Sequence, residues 1–137
     1  MEQKTITLVQ DSFEKVKPIA PTAAEIFYNK LFELDPKLKS LFPNSETDMK
    51  EQGNKLMTML GAAVAGLNNL PALIPVLEGL GKRHINYKVE ASHYDTVGSA
   101  LLGTLEVGLG EGFTSEVKEA WTSVYTTMAK VMIDASY

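Results

Sequence analysis

Apolar residues recur at helical spacing along nearly the whole chain. Ile6, Val9, Phe13 and Val16 fall at steps of three and four, the period of one helix face. Pro18-Ile19-Ala20-Pro21 interrupts the pattern. Thr22 with Glu25 predicts a capping box opening a second helix, whose apolar positions are Ala24, Phe27, Tyr28, Leu31 and Phe32. Asp35-Pro36 reads as an N-cap followed by a first-turn proline, starting a short helix to about Leu41. Phe42-Pro43-Asn44-Ser45 is turn chemistry. A long face follows in Met49, Gln52, Leu56, Met59, Leu60, Ala63 and Leu67, with Gly53 small enough to pack against Ala24 and let two helices cross closely, and Asn68-Asn69-Leu70-Pro71 predicts its end. Leu73, Leu77, Leu80 and His84 mark one face of the next helix. Ser92, three residues before Asp95, predicts a cap for a helix carrying Val97, Leu101 and Leu105. Gly108-Leu109-Gly110-Glu111-Gly112 predicts a loop, and the last helix carries Val117, Trp121, Val124, Met128 and Val131. Alternating β-branched runs and Asn-Gly or Asp-Gly hairpins are absent from the sequence. The pattern predicts an all-α fold of six main helices plus short ones, in a single domain over 1–137.

Composition narrows the chemistry. With 137 residues, 45% of them hydrophobic and 22% charged, the chain has the balance of an ordinary globular domain. Such a chain is long enough to enclose one flat ligand. The net charge is -4 and the basic residues are scattered, which argues against nucleic acid as a partner. The absence of cysteine excludes disulfides, thiolate nucleophiles and sulfur-built metal sites. Gly108 begins no phosphate loop, because no Lys-Ser or Lys-Thr follows it. The first residues lack the apolar core of a signal peptide, and the apolar run at 61–67 is short and glycine-interrupted. No membrane insertion is expected, and the protein is read as cytoplasmic.

Four residues carry the candidate chemistry, each with two readings. His84, on an apolar helix face, is either a satisfied core histidine or an axial metal ligand. In the second case Nε2 binds the metal and Nδ1–H donates to a backbone carbonyl one turn back, near Leu80. Gln52 is either an exposed amide near a helix start or a polar group bordering an apolar wall. Tyr28 is either a core aromatic whose hydroxyl finds a backbone partner or a donor facing a ligand. Phe42 is either a loop anchor or a ligand contact.

The set resembles the bacterial haemoglobins and the globin domain of flavohaemoglobins. The likeness rests on Phe27-Tyr28-x-x-Leu31-Phe32, on Pro36 through Leu41-Phe42, and on Gln52-x-x-Lys55-Leu56. It continues with His84 and Val89, with His93-Tyr94-x-x-Val97-Gly98-x-x-Leu101-Leu102, and with Ala120-Trp121-x-x-Val124-Tyr125. The resemblance implies a globin fold, a sandwich of three helices over three, holding a haem b. Without a cysteine for a C-x-x-C-H linkage, that haem is held non-covalently.

By the same resemblance His84 is the proximal iron ligand and Phe42 packs on the haem plane. Tyr28 and Gln52 border the distal pocket, and Leu56 closes it over the gas. Val89, Val97 and Leu101 line the porphyrin face or edge. Lys55 is either a propionate contact or a solvated lysine, and His93 is a surface or haem-edge residue. Tyr94 matches the tyrosine that backs the proximal histidine in flavohaemoglobins. The glutamate of that set falls on Ser136, so His84 should have less electron-donating character. Three functions follow as expectations: reversible binding of O2 and other diatomic gases (NO, CO) for storage or transport; NO dioxygenation with electrons from a separate reductase, since the chain ends where a flavin reductase would begin; and, lower in rank, gas sensing.

Overall fold

A computed structural model describes residues 2–42, 45–86 and 92–136, with the backbone alone for 41, 46, 83–86 and 136. Six α-helices appear among the described residues: α1 (Gln3–Val16), α2 (Ala20–Leu34), α3 (Glu46–Ala65), α4 (Leu70–Asn86), α5 (His93–Leu109) and α6 (Ser115–Ser136). They lie in two layers, α1, α3 and α4 against α2, α5 and α6. The layers meet where α1 and α4 pack on α6 and where α2 packs on α3.

The helix faces are those the apolar spacing predicts. Ile6, Val9, Phe13 and Val16 of α1 are buried, as are Val117, Trp121, Val124 and Met128 of α6. Between these two helices Ser12 is the buried polar residue. Its hydroxyl donates to the Leu8 carbonyl (2.7 Å) and accepts from the Trp121 indole N–H (2.8 Å), so no polar atom of the pair is stranded.

Helix starts depart from the sequence in two places. The capping box of Thr22 and Glu25 does not form, because α2 begins at Ala20 directly from a 3-10 turn, Lys17–Ile19, and carries no side-chain cap. Thr22 therefore sits inside the first turn, beside Pro21. Ser92 takes a helical conformation (φ -62°, ψ -25°) and makes no capping bond. Two caps do form. Asp35 accepts from the Lys37 N–H (3.2 Å) at the 3-10 helix Pro36–Leu41, and Ser45 accepts from the Asp48 N–H (3.1 Å) at α3. The glycine run is half loop: α5 continues to Leu109 and Gly110 then turns with φ +55°, a left-handed value suited to glycine.

The predicted end of the long helix holds, since α3 stops at Ala65, just before Asn68-Asn69-Leu70-Pro71. A 3-10 turn, Gly66–Asn69, leads straight into α4, with Pro71 in its first turn and Pro75 inside it. The stretch Thr47–Lys82 consequently holds an 18-residue window of mean hydropathy 1.6, long and apolar enough by length and composition to cross a membrane. That corrects the expectation of no such run. Only 28% of the window is buried, so this is an apolar wall that the protein itself covers incompletely.

Candidate functional site

Tyr28 sits on the buried face of α2 at 6% exposure, one turn before Phe32. Its ring meets Phe27 edge-on (5.2 Å between centroids), stacks near Phe32 (6.0 Å) and meets Phe42 edge-on (5.3 Å). Phe42, half-buried at the end of the 3-10 helix, also meets Phe32 edge-on at 5.4 Å. Such offset and edge contacts fix ring orientation. The sequence reading passed over Phe32, although its i+4 spacing from Tyr28 is the signal for a same-face pair.

The phenol itself is poorly satisfied. Its O–H donates to the Gln52 backbone carbonyl over a long 3.5 Å, and the Gln52 side-chain amide is its other polar neighbour. Burial pushes its pKa up to about 12, partly offset by the Gln52 side-chain amide. A locked ring with a loosely held, always protonated hydroxyl is a donor ready to be taken by a ligand.

Close helix crossing brings Gln52 there. Gly53 lies against Ala24, where a Cβ would stand 3.0 Å from the Ala24 Cβ and 3.9 Å from Tyr28 Cε2. The small pair expected from the sequence is therefore in contact, and it carries Gln52 to the Tyr28 hydroxyl. Gln52 is half-buried and Lys55 exposed. Leu56 is half-buried and, with Phe27, Met57, Leu60, Leu101 and Leu105 among others, lines an apolar cavity of about 20 Å³. That volume takes one small molecule, not a porphyrin.

The same α3 residues continue into a wider, partly exposed apolar surface. Among the described residues α3 and α4 do not pack along one another: α3 lies on α2, and α4 on α6. The apolar residues Leu56, Met57 and Leu60 of α3, Leu80 of α4, and Val97 and Leu102 of α5 pack on the core yet remain partly exposed. A large apolar ligand would cover such a surface. No group of three His, Cys, Asp or Glu side chains able to hold a metal ion occurs among the described residues.

On the other side, Tyr94 is buried (6%) at the start of α5 and His93 is half-buried beside it. His84 belongs to the last turn of α4, and its side chain lies outside the described residues, as do Val89 altogether and the side chain of Ser136. The structure thus brings together Tyr28, Phe42, Gln52 and Leu56. It places Leu101 deeper, at the cavity, and Lys55 away from any ion pair among the described residues.

Comparisons with known proteins agree with this geometry. The globin family model matches residues 25–132. A flavohemoprotein of Vibrio cholerae serotype O1 is 29% identical over 134 residues, covering 98% of this chain and 34% of that protein. A flavohemoprotein of Xylella fastidiosa is 32% identical over 133 residues, covering 95% of this chain and 32% of its own length. The chain spans about a third of the curated relatives it matches.

Proposed function

Because this chain belongs to the globin family and its cofactor is haem, we propose that it binds O2 reversibly, with His84 as the iron ligand and Tyr28 as the donor to the gas. Haem iron supplies a coordination position and electron density on which diatomic gases draw. The protein supplies the rest. Phe42 and the half-exposed leucines of α3 offer the apolar surface that holds a porphyrin without a covalent bond. Leu56 and Met57 exclude water, which would compete for the phenol. Tyr28 stays neutral across the physiological range and gives its proton to whichever acceptor is nearest, with the Gln52 amide beside it.

The observation that carries this reading is the Tyr28 phenol, 6% exposed, clamped by three rings, with its O–H on a long 3.5 Å bond to the Gln52 carbonyl. A ligand that takes on negative charge gains on the order of 1.5–3 kcal/mol from such a donor, roughly tenfold or more in affinity. CO takes on less charge and gains less. Tyr28→Phe should therefore speed O2 release at least about tenfold and change CO release little. Equal O2 release from variant and parent, measured by stopped flow, would remove Tyr28 from the mechanism.

The flavin in the names of both relatives favours a second reading. NO and O2 combine to nitrate with the consumption of one electron, which a separate reductase would deliver. Sustained NO consumption that requires an added flavin reductase and NADH would support it; a single turnover under the same conditions would leave O2 binding as the function.

A further inference from the structure

The corner between α3 and α4 is held from outside, by α1. The Gln10 side chain donates from Nε2 to the Val64 backbone carbonyl at 3.0 Å. Val64 lies in the last turn of α3, where a helix leaves carbonyls without partners of its own. The same amide accepts at Oε1 a long bond, 3.5 Å, from Asn68 Nδ2. Asn68 belongs to the 3-10 turn Gly66–Asn69, and its Oδ1 accepts in turn from Gln3 Nε2 at 3.3 Å. One half-buried amide of α1 thus bridges the end of one helix and the turn that leads into the next.

The corner is well packed within itself. Leu67 is buried at 1%, and a Cβ on Gly66 would stand 3.3 Å from Leu73 Cδ1. Beyond the corner the two helices give each other no such support. Among the described residues α3 leans chiefly on α2, and α4 on α6. A small rotation at the corner is therefore magnified along α4. That helix has 17 residues, and His84 lies in its last turn. It is about 25 Å long, so a turn of roughly 10° at the corner would carry its far end by about 4 Å.

We infer that Gln10 is a positioning residue for the haem: by tying Val64 to Asn68 it sets the angle between α3 and α4, and so the width of the mouth through which haem enters and leaves. The inference rests on the reading of His84 as iron ligand, which puts the haem in that mouth. Loss of the tie should let the mouth widen and haem escape faster, with no change to the groups around the gas.

The test follows haem transfer from the loaded protein to an excess of a scavenging apoglobin by absorbance, beside thermal melts of the haem-free protein. Gln10→Leu keeps the bulk and loses the amide; it should speed haem loss about two- to tenfold, as expected for one internal hydrogen bond. Gln10→Glu loses the donor and sets a negative charge beside a helix C-terminus, so it should speed loss at least as much. Asn68→Ala removes the longer bond and should do less. Ser12→Ala is the control: it breaks a different bond of α1, to Trp121 of α6, and should lower the melting temperature while leaving haem loss in place. Unchanged haem loss in both Gln10 variants overturns the inference. So does a rate that rises in Ser12→Ala in proportion to its lost stability, since haem loss would then follow stability alone. Failure of the underlying reading shows separately, as a His84→Ala variant that keeps haem as tightly as the parent, and overturns both. Should Gln10→Glu fail to fold, Gln10→Leu decides alone.

Discussion

The contact of α1 with α6 and the wall formed by α3 and α4 use the same kinds of residue and finish differently. Between α1 and α6, Val9, Trp121 and Val124 reach 0% exposure and the buried polar pair, Ser12 with Trp121, is internally bonded. Along α3 and α4, Leu56, Met57, Leu60 and Leu80 stay half-covered. The first region is complete as protein. The second is complete only with something apolar laid on it. A ligand that binds the folded form alone should therefore stabilise the second region and leave the first nearly indifferent.

Trp121→Ala should break the self-sufficient side and give the largest effect. Truncating a buried tryptophan costs about 3–5 kcal/mol, and the loss in urea unfolding should be the same with and without haem. A loss confined to the haem-loaded form would erase the distinction between the two regions. Haem withdrawal comes next, at about 4 kcal/mol when free haem stands a thousandfold above its Kd. Hydrogen exchange should then rise in α3 and α4 first, while α1 and α6 keep their protection. Uniform loss across all six helices would contradict the comparison.

Gly53→Val sharpens it at the seam between the regions. Added bulk at the 3.0 Å approach to Ala24 must push α2 from α3, costing about 1–3 kcal/mol. Because Gln52 and Tyr28 move with those helices, O2 release should change too, whereas a stability loss with unaltered gas kinetics would uncouple crossing from site. The smallest effect at neutral pH is that of Tyr28 titration. Its folded pKa of about 12 lies above the ordinary phenol value of 10.0, so the unfolded chain loses its proton first. Stability from this group is intact below pH 10 and falls as pH rises from 10 to about 12. Tyr125 acts in the same direction. Tyr28→Phe in the haem-free protein should flatten that alkaline slope in a pH series of thermal melts.

Helix faces were legible because burial follows a 3.6-residue period: Leu73 with Leu77, and Val117, Trp121, Val124 and Met128, are buried as their spacing requires. So was the Gly53–Ala24 crossing, since two small residues permit close approach. Helix starts were read less well. Thr22, Glu25 and Ser92 have capping chemistry, but a cap needs a non-helical backbone, and the 3-10 turn before α2 and the helical Ser92 deny it. The stop around Asn68 and Asn69 was legible, because α3 ends at Ala65 and a 3-10 turn separates it from α4. At the site, periodicity alone placed Tyr28 in the core. Only the motif order marked it as a donor, and only the coordinates revealed the rings that hold it and the weakness of its bond. The tie from Gln10 to Val64 crosses 54 positions of sequence, a distance no local pattern encodes.

The chain holds a single tryptophan, and it is the residue tied to Ser12. Its fluorescence therefore comes from one known place, shielded from solvent by the two helices it joins. Haem absorbs where indole emits, so the loaded protein should be dark and should brighten as pigment leaves, before any unfolding moves the emission to the red. Pigment loss and helix undocking can thus be timed apart in one unlabelled sample.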